Sequence, residues 1–398
     1  MTSKRIDRHL HVVNAASRAS QGSAAVPTLA ELASAFDPAR LLQARRLAGK
    51  TKRAVAEELE VSPTAVSQWE SGVTAPRPDH MGRLANFLDV PVTFLAVGRP
   101  YARLEADAAH FRSLRSTPAR ERDKAIAFTE QVWELTFALE KRVQFPPVDL
   151  PGFTGGEVEH TDFPTEPQEA ARALRQHWNL ADGPIPQMVR LMEKHGIVTT
   201  LVSFAGGATK TVDAFSTSRL PRPIVVLTPD RANDVYRHRF TAAHELGHLL
   251  LHADDAPGDP VREKEADKFA AEFLTPTASI VPSLPPRMDL NALDKLSGEW
   301  GVSVESLVYR CREVGTISES TYRRAFQRIN QLRQVGLFQP EPATAHPGEV
   351  PALLSRAFDV AAANGLTIAG LASEMHCSVR RVRMLLGNED TRPVLTSL

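Results

Sequence analysis

The stretch that decides the fold runs Thr241-Ala242-Ala243-His244-Glu245-Leu246-Gly247-His248-Leu249-Leu250-Leu251. Within it, His244 and His248 lie four residues apart, and Glu245 directly follows the first histidine. Side chains four apart share one face of an α-helix, so the two imidazoles project in the same direction. The leucines make the opposite face apolar, which predicts one buried helix from Arg231 to His252. Two unpartnered imidazoles in a buried helix are unfavourable, so the pattern indicates a metal site.

The spacing of these residues suits zinc in particular. His244 and His248 can both reach Zn²⁺ at about 2.0–2.1 Å. Glu245 lies about 100° further around the helix, beside the metal, where it can act as general base toward a metal-activated water. A catalytic zinc takes a third protein ligand and keeps one position open.

The third ligand is expected in the helical segment from Arg262 to Ala271. Glu263 and Asp267 are four residues apart there, and Ala266 and Ala270 beside them are small enough to let the metal helix approach closely. We assign Glu263 as the third zinc ligand and Asp267 as the carboxylate that orients a ligand imidazole.

Two further side chains near the motif have other interpretations. Glu265 lies on the other side of its helix from Glu263 and stays an alternative third ligand. His252 follows His248 without the glycine turn that precedes a third histidine ligand, so we interpret it as a helix-end residue.

Two separated motifs resemble the ImmA/IrrE-type metallopeptidases. They are Arg239-Phe240-Thr241-Ala242-Ala243-His244-Glu245-Leu246-Gly247-His248 and Glu263-x-x-Ala266-Asp267-x-Phe269-Ala270-Ala271-x-x-Leu274-x-Pro276. The resemblance covers about Pro151 to Arg312, and Thr275 departs from it where the family has a bulky apolar residue. It implies a zincin-like fold of the gluzincin type and the cleavage of helix–turn–helix repressors in phage-element or stress responses.

A second informative stretch, from Lys52 to Glu70, predicts two short helices joined by a tight turn. Thr51 can cap the first helix, and Ser62 followed by Pro63 is a strong start for the second. Small and apolar residues at helical spacing predict the core where the two helices cross; they are Ala56, Leu59, Val61 and Val66.

The start of that second helix has the composition expected where a helix meets base edges in a DNA major groove. The candidate contacts have short or amide side chains: Ser62, Thr64, Ala65, Ser67 and Gln68. Six basic residues and no acid occur from position 40 to 53, a local patch suited to phosphates; they are Arg40, Arg45, Arg46, Lys50, Lys52 and Arg53. We expect Arg45 and Lys52 to contact the DNA backbone.

The segment from about Asp37 to Gly98 resembles the XRE (lambda repressor-like) helix–turn–helix family. Lys52 departs from the family at a position where Gln is common, and Glu60 departs at the turn, where Gly is usual. Glu60 must therefore adopt a backbone conformation that favours glycine. A helical hairpin that binds protein instead of DNA is the alternative.

Composition limits the remaining possibilities. The 398 residues carry no net charge, so nucleic-acid binding must come from a local patch. Two cysteines are too few for a disulfide scaffold and suit a reducing compartment. No secretory signal and no membrane-spanning run is evident in the sequence, so we expect a cytoplasmic protein that does not bind membranes.

These features predict an α+β multidomain chain. We divide it into a mobile N-terminal arm (1–35), a helix–turn–helix domain (36–100), a helical connector (101–150), a zinc peptidase domain with C-terminal helices (151–338), and a Pro-rich linker with a small helical tail (339–398). The tail has a similar helix–turn–helix rhythm between Ile368 and Arg383, and a capping helical module is the alternative interpretation.

The function that follows is a DNA-binding transcriptional regulator with a zinc-dependent endopeptidase domain. Its expected partners are a double-stranded DNA operator, a protein substrate such as a helix–turn–helix repressor, and a second copy of the chain in a homodimer. An edge strand near Val212 to Ser216 is expected to hold the substrate extended. The alternative is a regulator whose zincin-like domain senses metal or a ligand without proteolysis.

Overall fold

The structure is a computed structural model, and it describes residues 11–12, 27–101, 103–104, 118–155, 162–201, 214–228, 234–252, 259–337 and 341–387. Within these ranges no helix is both long and apolar enough to cross a membrane. The described residues form two compact units: one holds the residues up to 146 and from 352 onward, and the other holds 147 to 351. The α+β multidomain class predicted from the sequence is confirmed.

The first unit is built mainly from helices. They are α1 (Leu29–Ser34), α2 (Pro38–Leu47), α3 (Lys52–Leu59), α4 (Pro63–Glu70), α5 (Pro78–Phe87), α6 (Ala119–Glu140), α15 (Leu353–Ala362), α16 (Ile368–Glu374) and α17 (Val379–Leu385). Strand β1 (His11–Val12) pairs in antiparallel fashion with β2 (Val143–Gln144).

The predicted helix caps and turn are present in the helix–turn–helix. The side chain of Thr51 accepts a hydrogen bond from Ala54 N at 3.0 Å and caps α3. Ser62 accepts one from Ala65 N at 3.1 Å and caps α4. Between the two helices Glu60 adopts a left-handed backbone with φ of 56°, the conformation that usually favours glycine. Its carboxylate accepts a hydrogen bond from Arg83 at 3.2 Å.

Helix α6 belongs to the core of the first unit, which differs from the predicted connector over 101–150. Residues on every side of α6 are buried, and α2 packs against it. Arg40, fully buried in α2, donates to Glu134 of α6 at 2.5 Å, and Gln43 donates to the same oxygen at 2.8 Å. A buried charge is tolerated only when it is paired in this way.

The N-terminal arm predicted over 1–35 is corrected at its end. Thr28 and Glu31 form a reciprocal capping box at the start of α1, which is the sequence signature of an ordered helix start. Residues 1–10 and 13–26 lie outside the described residues.

The C-terminal helices repeat the geometry of the helix–turn–helix. Thr367 caps α16, His376 has a left-handed φ of 50°, and Ser378 caps α17. These positions follow Thr367 by nine and eleven residues, the same offsets by which Glu60 and Ser62 follow Thr51. The helix–turn–helix rhythm predicted for the tail is therefore present in its backbone.

The second helix of this C-terminal motif is packed against its own unit. Arg381 in α17 donates to Gln131 of α6 at 2.5 Å and lies over the ring of Phe128. In the turn, the His376 ring donates to the carbonyl of Thr93 at 2.9 Å. Arg381, the counterpart of Ala65 in α4, is thus in internal contact, which favours the capping-module interpretation, whereas Arg380, the counterpart of Thr64, is exposed.

The second unit combines a small mixed sheet with helices. Its helices are α7 (Pro167–His177), α8 (Met188–Lys194), α9 (Val235–Leu251), α10 (Pro260–Leu274), α11 (Thr277–Ile280), α12 (Leu290–Trp300), α13 (Val304–Glu313) and α14 (Glu319–Gln334). The sheet has the order β3 (Val198–Leu201), β5 (Ile224–Leu227), β4 (Ala214–Thr217), in which β5 is parallel to β3 and antiparallel to β4.

A buried ion pair fixes the first turns of α9. Arg239 pairs with Glu349 and also donates to the carbonyl of Gly301 at 2.8 Å. Glu349 in turn accepts from the backbone amides of Met188 and Val189, at 2.9 and 3.1 Å, at the start of α8. Glu349 lies in the segment predicted as a Pro-rich linker, so part of that segment completes the core of the second unit.

The packing of α17 generates the first prediction. Arg381→Ala should destabilise α16 and α17 by about 1–3 kcal/mol, because it removes a charged hydrogen bond and leaves Gln131 without it. Arg380→Ala, at the exposed neighbouring position, should change stability by less than about 0.5 kcal/mol. Native-state hydrogen exchange of the amides in α16 and α17 measures both effects. Equal protection in the two variants would contradict the packed interpretation, as would a loss of DNA binding confined to Arg380→Ala.

Candidate functional site

Close contact between α9 and α10 positions the metal-binding side chains. Gly247 in α9 faces the ring of Phe269 in α10, and a Cβ added at Gly247 would lie 2.9 Å from a ring carbon. Ala266 and Ala270 of α10 are fully buried beside it. Because these small residues let the helix axes approach, side chains from both helices reach the same point.

That point is surrounded by three buried donor groups, His244 and His248 from α9 and Glu263 from α10. The two Nε2 atoms are 3.0 Å apart, and Glu263 Oε2 lies 3.3 Å from that of His244 and 3.5 Å from that of His248. Tetrahedral ligands at the usual zinc bond lengths are about 3.3–3.5 Å apart. The donor set and its spacing therefore fit a zinc ion, and no other described residue belongs to the donor cluster to fill a fourth coordination position.

Outer hydrogen bonds orient the first imidazole. His244 Nδ1 lies 2.8 Å from Asp267 Oδ1. A carboxylate only accepts hydrogen bonds, so Nδ1 carries the hydrogen and the lone pair of a neutral His244 lies on Nε2, toward the cluster. This is the role that the sequence predicted for Asp267.

A second chain of contacts supports the other imidazole. Glu265 Oε2 lies 2.9 Å from His252 Nε2, and His252 Nδ1 lies 3.1 Å from His248 Nδ1. In neutral rings this order makes His252 the donor to Glu265 and His248 the donor to His252. The lone pair of His248 Nε2 then faces the cluster. Glu265 thus contacts His252, while Glu263 reaches the donor cluster.

The electrostatics of the cluster favour a cation. Burial opposes the charged form of His244, yet hydrogen bonds to Asp267 and Glu263 raise its pKa to about 9. Burial lowers the pKa of His248 to about 4. Burial also opposes ionisation of Glu263, but hydrogen bonds from the two histidines lower its pKa to about 2. Two carboxylates, Glu263 and Asp267, therefore hold a positive charge at this point, which suits a divalent ion.

The predicted general base lies beside this cluster. Glu245 is buried in α9, and its Oε2 accepts a hydrogen bond from the hydroxyl of Ser216 at 2.7 Å. Ser216 belongs to β4, at the edge of the described sheet next to α9. This hydrogen bond fixes the direction of the Glu245 carboxylate.

Two contributors to the site were not among the residues predicted from the sequence. Ser216 is 29 residues from Glu245 in the sequence, and no local pattern connects them. His252 was interpreted only as a helix-end residue, although its position four residues after His248 was a signal that the two rings are neighbours. The predicted substrate strand near Val212 to Ser216 lies partly outside the described residues, since β4 begins at Ala214.

The predicted DNA-contacting residues lie together at the start of α4. The side chains of Ser62, Thr64 and Gln68 are exposed, and Ala65 and Ser67 are half-buried beside them. Lys52, with its side chain 43% exposed, extends from the start of α3 to within 3.3 Å of the Ser67 hydroxyl and also pairs with Glu70 at 3.3 Å. This face is accessible and polar, as a helix that reads a major groove must be.

The basic patch is weaker than the sequence suggested. Arg45 is buried, pairs with Glu70 and donates to the carbonyl of Lys50 at 2.9 Å, so its guanidinium stabilises the fold. This corrects the expectation that Arg45 contacts DNA phosphates. Arg40, Arg46 and Arg53 also have acidic partners, namely Glu134, Asp123 and Glu57. Most of these acids are distant in sequence, so counting charges between positions 40 and 53 did not reveal them.

Comparisons with known families match the parts of the chain in which both candidate sites lie. Residues 192–312 match the family model of the IrrE N-terminal-like domain, a metallopeptidase-type family. Residues 41–95 match a helix-turn-helix family model. The chain therefore carries an XRE-type helix–turn–helix domain, the kind found in DNA-binding regulators, fused to an IrrE N-terminal-like domain. A search of curated proteins finds no match to the chain.

The second prediction separates the two glutamates of α10. Glu263→Ala should weaken zinc binding far more than Glu265→Ala, because Glu263 supplies a donor atom and Glu265 acts through two imidazoles. Loss of an outer partner usually lowers metal affinity about 10–100-fold, and loss of a ligand should exceed that. Competition against a chromophoric chelator measures both variants. A larger loss in Glu265→Ala would contradict the ligand assignment.

The third prediction concerns the DNA-contacting face. Gln68→Ala should lower discrimination between operator and unrelated DNA by about 1–3 kcal/mol, because an amide at a base edge reads sequence. Lys52→Ala should instead weaken binding to all sequences and reduce its salt dependence. Fluorescence anisotropy at several salt concentrations measures both effects. The same loss on every sequence in both variants would show that α4 does not read bases.

Proposed function

We propose that this protein is a DNA-binding transcriptional regulator whose second unit is a zinc-dependent endopeptidase. The observation that carries the proposal is the cluster of His244, His248 and Glu263 donor atoms with the Glu245 carboxylate beside it. Three protein ligands with one open position are typical of catalytic zinc sites, whereas structural zinc sites are closed by four.

In peptide hydrolysis, individual residues of the chain would have separate roles. Zinc, when bound, supplies a Lewis acid that polarises the scissile carbonyl and makes water more acidic. Glu245 accepts a proton from the attacking water and passes it to the leaving amine. Ser216 holds one oxygen of that carboxylate at 2.7 Å and so fixes its direction. Asp267 keeps His244 in the tautomer that binds metal.

The proposed partners are an operator DNA and a regulatory protein as substrate, with a helix–turn–helix repressor as the first candidate. The proposed compartment is the cytoplasm. Support comes from the two cysteines, Cys311 and Cys377, which are buried free thiols of the kind that a reducing compartment preserves.

A sensor without proteolysis is the competing function, because the same ligands hold zinc in either case. The buried Glu245 favours the peptidase: a purely metal-binding site has no need of a carboxylate next to, and separate from, its three donor groups.

The fourth prediction distinguishes the two functions. Glu245→Gln preserves size and all three zinc ligands, so zinc content and DNA binding should stay unchanged. An amide cannot accept the proton, so cleavage of the repressor encoded beside its gene should fall by about 10²–10⁴-fold. Purified full-length protein, assayed by gel electrophoresis and mass spectrometry of the fragments, gives the measurement.

The control for this prediction is Glu299→Gln, an exposed position in α12 of the same unit, which should cleave at the wild-type rate. Regulation in cells is then compared between the two variants. If regulation persists in Glu245→Gln with zinc bound and cleavage absent, the domain is a sensor and the peptidase proposal is wrong.

A further inference from the structure

The second unit has a large cleft outside the donor cluster. It has a volume of about 670 Å³ and is lined by the first turns of α9, one side of α10, the start of α13 and Arg333 of α14. Asp267, which orients His244, forms part of its wall. Pockets that hold small molecules usually have volumes of about 300–1,000 Å³, so the cleft is large enough for one.

The wall of the cleft carries four basic and four acidic residues, and they differ in whether they have partners within the described chain. Three of its cations, Arg237, Lys264 and Lys268, are exposed, and their side chains make no hydrogen bond or ion pair with the rest of the described chain. The acidic residues of the wall already have partners, as follows: Asp234 caps α9, Glu305 pairs with Arg333, Glu313 pairs with Arg310, and Asp267 bonds His244. The cations are therefore available to an anion from solution.

The wall also offers an apolar surface. Tyr236 and Phe240 lie one turn apart on α9, and Tyr309 of α13 is 47% exposed, which is unusual for a large aromatic residue. Aromatic rings beside cations suit a ligand that has an apolar body and a charged group, since the rings cover the body and the cations bind the charge.

We propose that this cleft binds a small organic anion, with its carboxylate, phosphate or sulfonate group at Arg237, Lys264 and Lys268 and its apolar body against Tyr236, Phe240 and Tyr309. The cleft is an additional site, since the donor atoms of His244, His248 and Glu263 are not part of its wall. The proposal does not depend on whether the zinc site is proteolytic.

Two dyes with the same ring system test the proposal. The probe is 8-anilinonaphthalene-1-sulfonate, and its uncharged counterpart is N-phenyl-1-naphthylamine, which lacks the sulfonate. Both are titrated by fluorescence against the full-length protein. We expect one saturable site per chain for the sulfonate dye, with affinity that falls as salt rises. The uncharged dye should bind more weakly and independently of salt.

Three variants locate the binding. Lys264→Glu combined with Lys268→Glu should lower the affinity for the sulfonate dye by about tenfold or more, and should leave the affinity for the uncharged dye unchanged. Lys295→Glu, an exposed lysine of α12 outside the cleft, is the charge control and should affect neither dye. Tyr309→Ala should lower the affinity for both dyes, because it removes apolar surface from the cleft. Thermal unfolding of each variant verifies that it is folded.

The outcomes separate clearly. Selective loss of the sulfonate dye in the double lysine variant, together with loss of both dyes in Tyr309→Ala, supports the site. Absence of saturable binding to the wild-type protein overturns it. The double variant changes the net charge by four and Lys295→Glu by two. If Lys295→Glu loses half as much binding free energy as the double variant, the proposal is overturned, because binding would then follow overall charge. If the double variant unfolds, Arg237→Ala replaces it and must show the same selectivity.

Discussion

The close approach of α9 to α10 is the constraint on which the second unit depends. Gly247 and the small residues Ala266 and Ala270 allow it, and the ring of Phe269 fills the space where a side chain at position 247 would lie. A methyl group there would separate the helices or displace a fully buried ring, and either change costs energy in a close-packed interior. The donor atoms, which lie 3.0 to 3.5 Å apart, would no longer converge.

This packing arranges the side chains of the site as an inner group of donor residues and an outer group that supports them. The two imidazoles and Glu263 form the inner group, and Asp267 and the pair of His252 and Glu265 fix how the rings face it. Metal-binding histidines in proteins are usually supported in this manner, because a free ring would spend much of its time in the wrong tautomer or orientation. Glu245 differs from all of these, since its carboxylate is held by Ser216 on the sheet and, in the proposed function, accepts a proton from the attacking water.

How much the sequence predicted depended on how local each signal was. Helix caps at Thr51 and Ser62, and the shared face of His244 and His248, involve residues within one turn of each other, so periodicity and capping rules were sufficient. The roles of Arg45, Ser216 and Glu349 depend on partners 25, 29 and 110 residues away, which no local pattern contains. The same limit explains why the tail after 351 was placed apart from the helix–turn–helix, although both belong to one unit.

The measurement that tests the central claim most directly is zinc K-edge X-ray absorption on the purified full-length protein. The account predicts about one zinc per chain, surrounded only by nitrogen and oxygen at about 2.0–2.1 Å, with the outer scattering of two imidazole rings. Zinc bound by sulfur at about 2.3 Å would contradict it, because neither buried cysteine belongs to the donor cluster. A protein that binds no zinc under conditions where it is folded would contradict it equally.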